Sequence, residues 1–267
     1  MILAGVLGDP IAHSKSPRLH AHWLARHGID GAYVPLHVRA EDLADTLRLL
    51  PRLGFAGVNV TIPHKAAALA AATTATDRAR RIGAANTLTF ADAGIEADNT
   101  DAPGFLANLD AAGAWPTDRP AVVLGAGGAA RAILVALQER GVPSIRLANR
   151  TEATAEALAA ELGPGIATTP LAAPDLRDAG LVVNTTSLGM RGQPPLDLDL
   201  GPLPSDALVT DIVYAPLETP LLAAAAARGL RTVDGLGMLL HQAAPGFARW
   251  FGVEPEVDDA LRAAVLA

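Results

Sequence analysis

Leu124-Gly125-Ala126-Gly127-Gly128-Ala129-Ala130 follows the apolar run Ala121–Leu124 and leads into a helical pattern over Ala129–Arg140. The spacing is glycine, one residue, glycine, two residues, alanine. Gly125 permits a tight turn, Gly127 removes the Cβ that would block a pyrophosphate, and Ala130 lets the helix pack close to the strand. Ala126, Gly128 and Ala129 supply the remaining backbone of the turn. Phosphates placed there meet free N–H groups at a helix N-terminus, so the stretch predicts a dinucleotide-binding βαβ unit.

The end of the next strand, Ser144–Ala148, decides which dinucleotide. An acid there would accept from a ribose 2′-hydroxyl. This chain has Asn149-Arg150-Thr151 instead. Arg150 offers a planar cation suited to a 2′-phosphate and Thr151 adds a hydroxyl, which favours NADP.

Working outward, strand and helix signals alternate on both sides of this unit. Upstream, strands are expected at Ile2–Leu7, Ala32–Val38 and Ala56–Ile62, and helices at Ser16–His27, Glu41–Leu50, 64–72, 77–81 and Asp101–Ala112. Ser16 reads as an N-cap with Pro17 in the first turn. Ala85–Phe90 and Ile95–Asp98 suggest a hairpin. Downstream, strands are expected at Leu181–Val183, Leu208–Val213 and Arg231–Val233, and helices at Glu152–Leu162, Leu221–Arg228 and Met238–Phe251. Such alternation implies an α/β fold of parallel sheets covered on both faces. The turn-rich segment Gly113–Pro120 reads as a linker.

The bulk numbers exclude several classes. The chain has 267 residues, half of them hydrophobic, and a net charge of −7. Its basic residues form no cluster, which argues against nucleic-acid binding. It has no cysteine, so disulfides and thiolate chemistry are excluded. No run approaches the ~20 apolar residues of a membrane span. Met1–Pro10 lacks the pattern of a signal peptide, so a cytoplasmic location is expected. No metal site is expected.

Only two of the 21 basic residues are lysines, Lys15 and Lys65. Arginine cannot lose its proton in a protein, whereas lysine can. Lys65 ends the run Asn59-Val60-Thr61-Ile62-Pro63-His64-Lys65 just after a strand, and is a candidate acid/base. Lys15 reads as an exposed loop residue.

These segments together resemble the shikimate dehydrogenase family over nearly the whole chain. The matching blocks, in order, are Gly8–Pro17, Asn59–Lys65, Gly83–Thr87, Asn99–Phe105, Gly125–Ala129, Asn149–Thr151, Asn184–Met190, Asp211–Tyr214 and Gly235–Ala244. The resemblance implies two α/β domains with the active site in the cleft between them. Residues 1–102 with the C-terminal helices 238–267 would bind substrate. Residues 103–237 would form a Rossmann-like NADP domain.

It also implies roles. Lys65 and Asp101 would flank the reacting carbonyl. Ser14 and Ser16 would hold the substrate carboxylate, with Tyr214 closing over it. Thr61, Asn86 and Gln242 would contact ring hydroxyls. Thr186, Ile212, Gly235 and Asp77 would approach the cofactor, beside the glycine turn and Asn149-Arg150-Thr151. His13 and His64 would be structural. The implied activity is reversible, NADPH-dependent reduction of 3-dehydroshikimate to shikimate by a monomer or homodimer. The alternatives are an NAD-linked quinate/shikimate dehydrogenase and a non-catalytic nucleotide sensor. One departure bears on this: Thr154 stands where relatives often carry a second arginine, which weakens the expected preference for NADP.

Overall fold

The computed structural model describes residues Met1–Ala267. The first part of the chain contains β1 (Ile2–Gly8), α1 (Ser16–His27), β2 (Gly31–His37), α2 (Leu43–Leu49), β3 (Phe55–Val60), α3 (Lys65–Ala71), β4 (Thr74–Ala75), α4 (Asp77–Ile82), β5 (Thr87–Ala91), β6 (Gly94–Asp98) and α5 (Asp101–Ala111). There follow β7 (Ala121–Leu124), α6 (Gly128–Arg140), β8 (Ile145–Asn149), α7 (Glu152–Leu162), β9 (Ile166–Pro170), β10 (Leu181–Asn184), β11 (Leu208–Asp211), α8 (Pro220–Ala227), β12 (Arg231–Val233), α9 (Leu236–Phe251) and α10 (Asp259–Leu266). The chain divides into two compact units, Met1–Gly104 with Leu239–Ala267, and Phe105–Met238.

In the first unit the strand order is β2-β1-β3-β5-β6-β4. β1 runs parallel to β2 and β3, but β5 is antiparallel to β3 and β6. This sheet is therefore mixed rather than parallel as expected. The reason is the hairpin: Ala91 pairs with Gly94 across a two-residue loop, and a parallel return needs a crossover of a dozen residues or more.

From Leu239 onward α9 clusters with this unit. Trp250 Nε1 donates to the carbonyl of Leu88 at 3.2 Å. A Cβ on Gly57 would lie 2.0 Å from that same nitrogen, so the glycine forms the slot that admits the indole. α10 lies against α1, where Trp23 Nε1 donates to the Glu256 carbonyl at 2.9 Å. Lys15 Nζ donates to the Val265 carbonyl at 2.9 Å, in the last turn of α10. Lys15 is thus a C-cap of a distant helix and not a free loop residue. Ser16 does not cap α1: Lys15 is the N-cap residue, with no side-chain capping bond.

The second unit carries a fully parallel sheet in the order β12-β11-β10-β7-β8-β9. Val122, Leu124, Val182 and Val209 bury its centre against Leu221 and Leu222 of α8. The expected linker Gly113–Pro120 lies inside this unit, because Trp115 is buried and its Nε1 donates to Asp110 Oδ1 at 3.1 Å. The unit boundaries fall instead within α5 and α9. No helix is long and apolar enough to cross a membrane.

His20 is fully buried in the first unit, and neither ring nitrogen has a hydrogen-bond partner. Its ring stacks on Tyr33 with centroids 3.7 Å apart. Burial disfavours the charged ring and lowers its pKa from 6.5 to about 3. The unfolded chain takes up this proton below its ordinary value, while the folded chain holds the ring neutral. Stability therefore falls as pH drops from 6.5 toward 3, by up to ~1.4 kcal/mol per pH unit. Replacing His20 with Phe keeps a ring but removes the proton. Thermal melts of wild type and His20→Phe between pH 7 and 5 should show the wild type losing more stability; parallel curves would contradict the assignment.

Candidate active site

The polar groups of the first unit converge at the ends of its strands. Lys65 opens α3, directly after the loop that follows β3. The Thr61 amide donates to the Leu7 carbonyl at 2.9 Å, and His64 Nε2 contacts the Val38 carbonyl at 2.7 Å. These two contacts hold the loop on the sheet, so His64 has a structural role here. Asp101 opens α5, with its amide donating to Asn99 Oδ1 at 3.1 Å. Lys65 Nζ meets Asp101 Oδ2 at 2.5 Å. Their side chains keep 19% and 9% exposure, so the pair is largely shielded yet open to a small molecule.

Asn86 organises the neighbourhood. Its Nδ2 lies 2.9 Å from Asp101 Oδ1, 2.9 Å from Thr100 Oγ1 and 3.1 Å from Gln242 Oε1. Its Oδ1 accepts from the Thr100 amide at 2.8 Å. A backbone N–H can only donate, so this contact fixes the amide orientation. Gln242 arrives from α9, where α9 crosses α5 closely: a Cβ on Gly104 would lie 2.6 Å from Gln242 Cβ. Lys65, Asp101, Asn86 and Gln242 thus form one cluster. Thr61 is half-buried in the loop before Lys65, Ser16 is buried and Ser14 half-buried at the start of α1. Ser14 Oγ accepts from the Ser16 amide at 3.3 Å. Asp77 stands apart, exposed on α4, with Arg80 at 3.4 Å.

Thr100, Asn59 and Tyr33 are absent from the site expected on sequence. Asn59 Nδ2 donates to the Asn86 carbonyl and Thr87 Oγ1, both at 3.1 Å. Tyr33 Oη donates to Asn59 Oδ1 at 2.7 Å. The one sequence signal for Tyr33 is its rarity, since the chain has two tyrosines. A buried tyrosine needs a partner for its hydroxyl.

In the second unit the glycine turn joins β7 to α6. Gly125 adopts φ +102°, which favours glycine, and its amide donates to the Ala148 carbonyl at 2.7 Å. Side chains added at Gly127 or Gly128 would meet nothing within 4 Å. The space before the N-terminus of α6 is therefore open to a pyrophosphate, and the turn fits a dinucleotide. Asn149 Oδ1 accepts from the Ala126 amide at 3.3 Å and latches the turn to the end of β8. Thr151 is the N-cap residue of α7 but its hydroxyl makes no capping bond. Asn149 and Arg150 line a cavity of about 450 Å³, together with Glu152, Leu171, Leu188 and Asp197.

A buried network shapes the other side of this turn. Asp211 accepts from Asn184 Nδ2 at 3.0 Å, the Val213 amide at 3.0 Å and Thr219 Oγ1 at 2.7 Å. Burial raises its pKa against the effect of these donors. Asn184 Oδ1 in turn accepts from Thr186 Oγ1 at 2.7 Å, and the Ile212 amide donates to the Asn184 carbonyl at 3.1 Å. A Cβ on Gly235 would lie 2.3 Å from the Ile212 carbonyl oxygen, so only glycine permits this approach. Thr186, Ile212 and Gly235 are therefore brought together. Tyr214 follows β11, half-buried, with its phenol pKa raised by burial.

Comparison with known proteins agrees along the whole length. Residues 6–88 match the shikimate dehydrogenase substrate binding domain. Residues 112–187 match the shikimate / quinate 5-dehydrogenase family, and 235–265 the shikimate 5′-dehydrogenase C-terminal domain. A shikimate dehydrogenase (NADP(+)) of Rhodospirillum rubrum is 61% identical over 273 residues, covering 99% of this chain and 96% of its own. One from Dinoroseobacter shibae is 58% identical over 270 residues, covering 99% and 97%. The crystal structure of shikimate 5-dehydrogenase from Thermus thermophilus in complex with NADP(H) and shikimate is 41% identical. It superposes with a TM-score of 0.90 over 100% of this chain and 99% of that one. The chain belongs to the shikimate dehydrogenase family.

Proposed function

We propose that this chain catalyses the reversible, NADPH-dependent reduction of 3-dehydroshikimate to shikimate, a step of aromatic amino-acid biosynthesis, in the cytoplasm as a monomer or homodimer. The observation that carries this reading is the shielded contact of Lys65 Nζ with Asp101 Oδ2, set among hydrogen-bonding groups suited to a polyhydroxylated ring. When bound, NADPH supplies the hydride for the carbonyl carbon. Lys65 stabilises the oxygen on which negative charge develops and delivers its proton; in the reverse direction it takes the hydroxyl proton. Asp101 keeps the ammonium in place. Asn86, Gln242 and Thr61 hold the ring hydroxyls, and an analogue lacking one leaves a buried polar group unpaired, a cost of about 1–3 kcal/mol. Ser14 and Ser16 bind the carboxylate through neutral hydroxyls.

Arg150 at the 450 Å³ cavity is the group for the adenosine 2′-phosphate. The same cavity carries the carboxylates of Glu152 and Asp197. Their charge opposes a phosphate and is compatible with a ribose hydroxyl, which supports some use of NAD beside NADP.

Lys65→Ala should cut turnover by ~10²-fold or more while shikimate binding changes only a few-fold, as for loss of a positioned acid/base. Near-normal turnover in a folded, shikimate-binding Lys65→Ala protein would contradict the assignment. Lys15→Ala is the control. It should leave turnover near wild type and lower the melting temperature, because it removes a helix C-terminal contact worth ~0.3–1 kcal/mol. Steady-state kinetics and thermal melts read both.

Arg150→Ala should raise the KM for NADP by ~10- to 100-fold, the loss expected of one charged hydrogen bond, and leave that for NAD nearly unchanged. Equal losses for both cofactors, measured by steady-state kinetics and by fluorescence titration, would mean that Arg150 does not meet the 2′-phosphate.

A further inference from the structure

Tyr33 lies on β2 and is 7% exposed. Its ring has little freedom. The His20 ring covers one face with planes 3° apart, and Trp250 lies 6.2 Å from its centroid. Its hydroxyl starts a line of hydrogen bonds whose direction can be deduced. Asn59 Nδ2 faces the Asn86 carbonyl, which can only accept, so Asn59 Oδ1 must face Tyr33 and Tyr33 must donate. Asn59 Nδ2 also donates to Thr87 Oγ1 at 3.1 Å, and Thr87 Oγ1 donates to Asn86 Oδ1 at 3.0 Å. Asn86 Nδ2 then donates to Asp101 Oδ1 at 2.9 Å. Every proton points toward the Asp101 carboxylate. Hydrogen bonds aligned in this way strengthen one another in a dry interior.

Tyr33 therefore begins the line that ends at Asn86 and Asp101, the residues assigned to a ring hydroxyl and to the reacting carbonyl.

We infer that Tyr33 is a positioning residue for substrate, acting through Asn59 and Thr87 on Asn86. The inference rests on the proposed shikimate site. Without the hydroxyl, Asn59 Oδ1 is a buried acceptor with no donor. Asn59 then rotates to seek one, which loosens its hold on the Asn86 carbonyl and on Thr87.

The test uses Tyr33→Phe, which keeps the stacked ring, and Thr87→Val, which cuts the same line one link further on and decides alone if Tyr33→Phe does not fold. Each should raise the KM and dissociation constant for shikimate by ~3- to 10-fold, with the dissociation constant for NADP within twofold of wild type. An unchanged shikimate constant, or a tighter one, overturns the inference. So does an equal loss for shikimate and NADP that follows the melting temperature, which marks a general packing effect. Asn86→Ala and Ser16→Ala separate this from the underlying reading. If they weaken shikimate and Tyr33→Phe does not, the site stands and the role of Tyr33 falls. If neither weakens shikimate, the site assignment itself fails.

Discussion

Asn86 keeps 2% exposure and meets groups from two distant parts of the chain: Thr100 and Asp101 at the start of α5, and Gln242 in α9. A buried amide is costly unless its polar atoms find partners, and cheap once they do. Here the Thr100 amide fixes which end is oxygen, so the Nδ2 face is committed to Asp101 and Gln242. The rest of the first unit serves that arrangement. Pairing of β5 with β3 places Asn86 beside the Lys65 loop, Gly104 lets α9 approach α5, and Gly57 admits Trp250 so that α9 lies on this sheet. A chain that leaves a domain and later returns to it needs such a device, because nothing in its local sequence directs the return.

The second unit solves a simpler problem. A phosphate is bound by backbone, so what is required is a turn without side chains at the end of a buried strand. Gly125, Gly127 and Gly128 provide that turn, and Asn149 holds it in register with the next strand. On the proposed function, selectivity then rests on side chains at one cavity, where Arg150 sits with Glu152 and Asp197. On that proposal anion binding and anion choice are separate features of this unit.

The difference in legibility has a physical origin. The glycine turn can be read from sequence because its chemistry is local: strand, turn and helix are contiguous. Lys65 stands out for a similar reason, as one of two lysines placed just past a strand. The parallel direction of the second sheet follows from strand and helix alternation, although its order does not, and the edge strand β9 escapes, since Ile166–Pro170 ends in proline and pairs with β8 alone. The mixed first sheet is less accessible, because a hairpin reverses strand direction inside an otherwise alternating pattern. The connection of Tyr33 through Asn59 to Thr87 is not legible. Tyr33 meets Asn59 across 26 residues and only because β2 and β3 both pair with β1. Lys15 is the clearest misreading from spacing, since its partner Val265 is 250 residues away.

On the proposed function the Lys65–Asp101 cluster handles the hydroxyl proton of shikimate while NADP accepts the hydride. The most direct measurement is the appearance of reduced cofactor when the purified chain is mixed with shikimate and NADP, set beside the same assay with shikimate and NAD and with quinate and either cofactor. The expected result is the highest kcat/KM for shikimate with NADP, a lower value with NAD, and slow turnover of quinate. Faster turnover of quinate with NAD, or no reduction of either cofactor by a folded protein that binds shikimate, would contradict it.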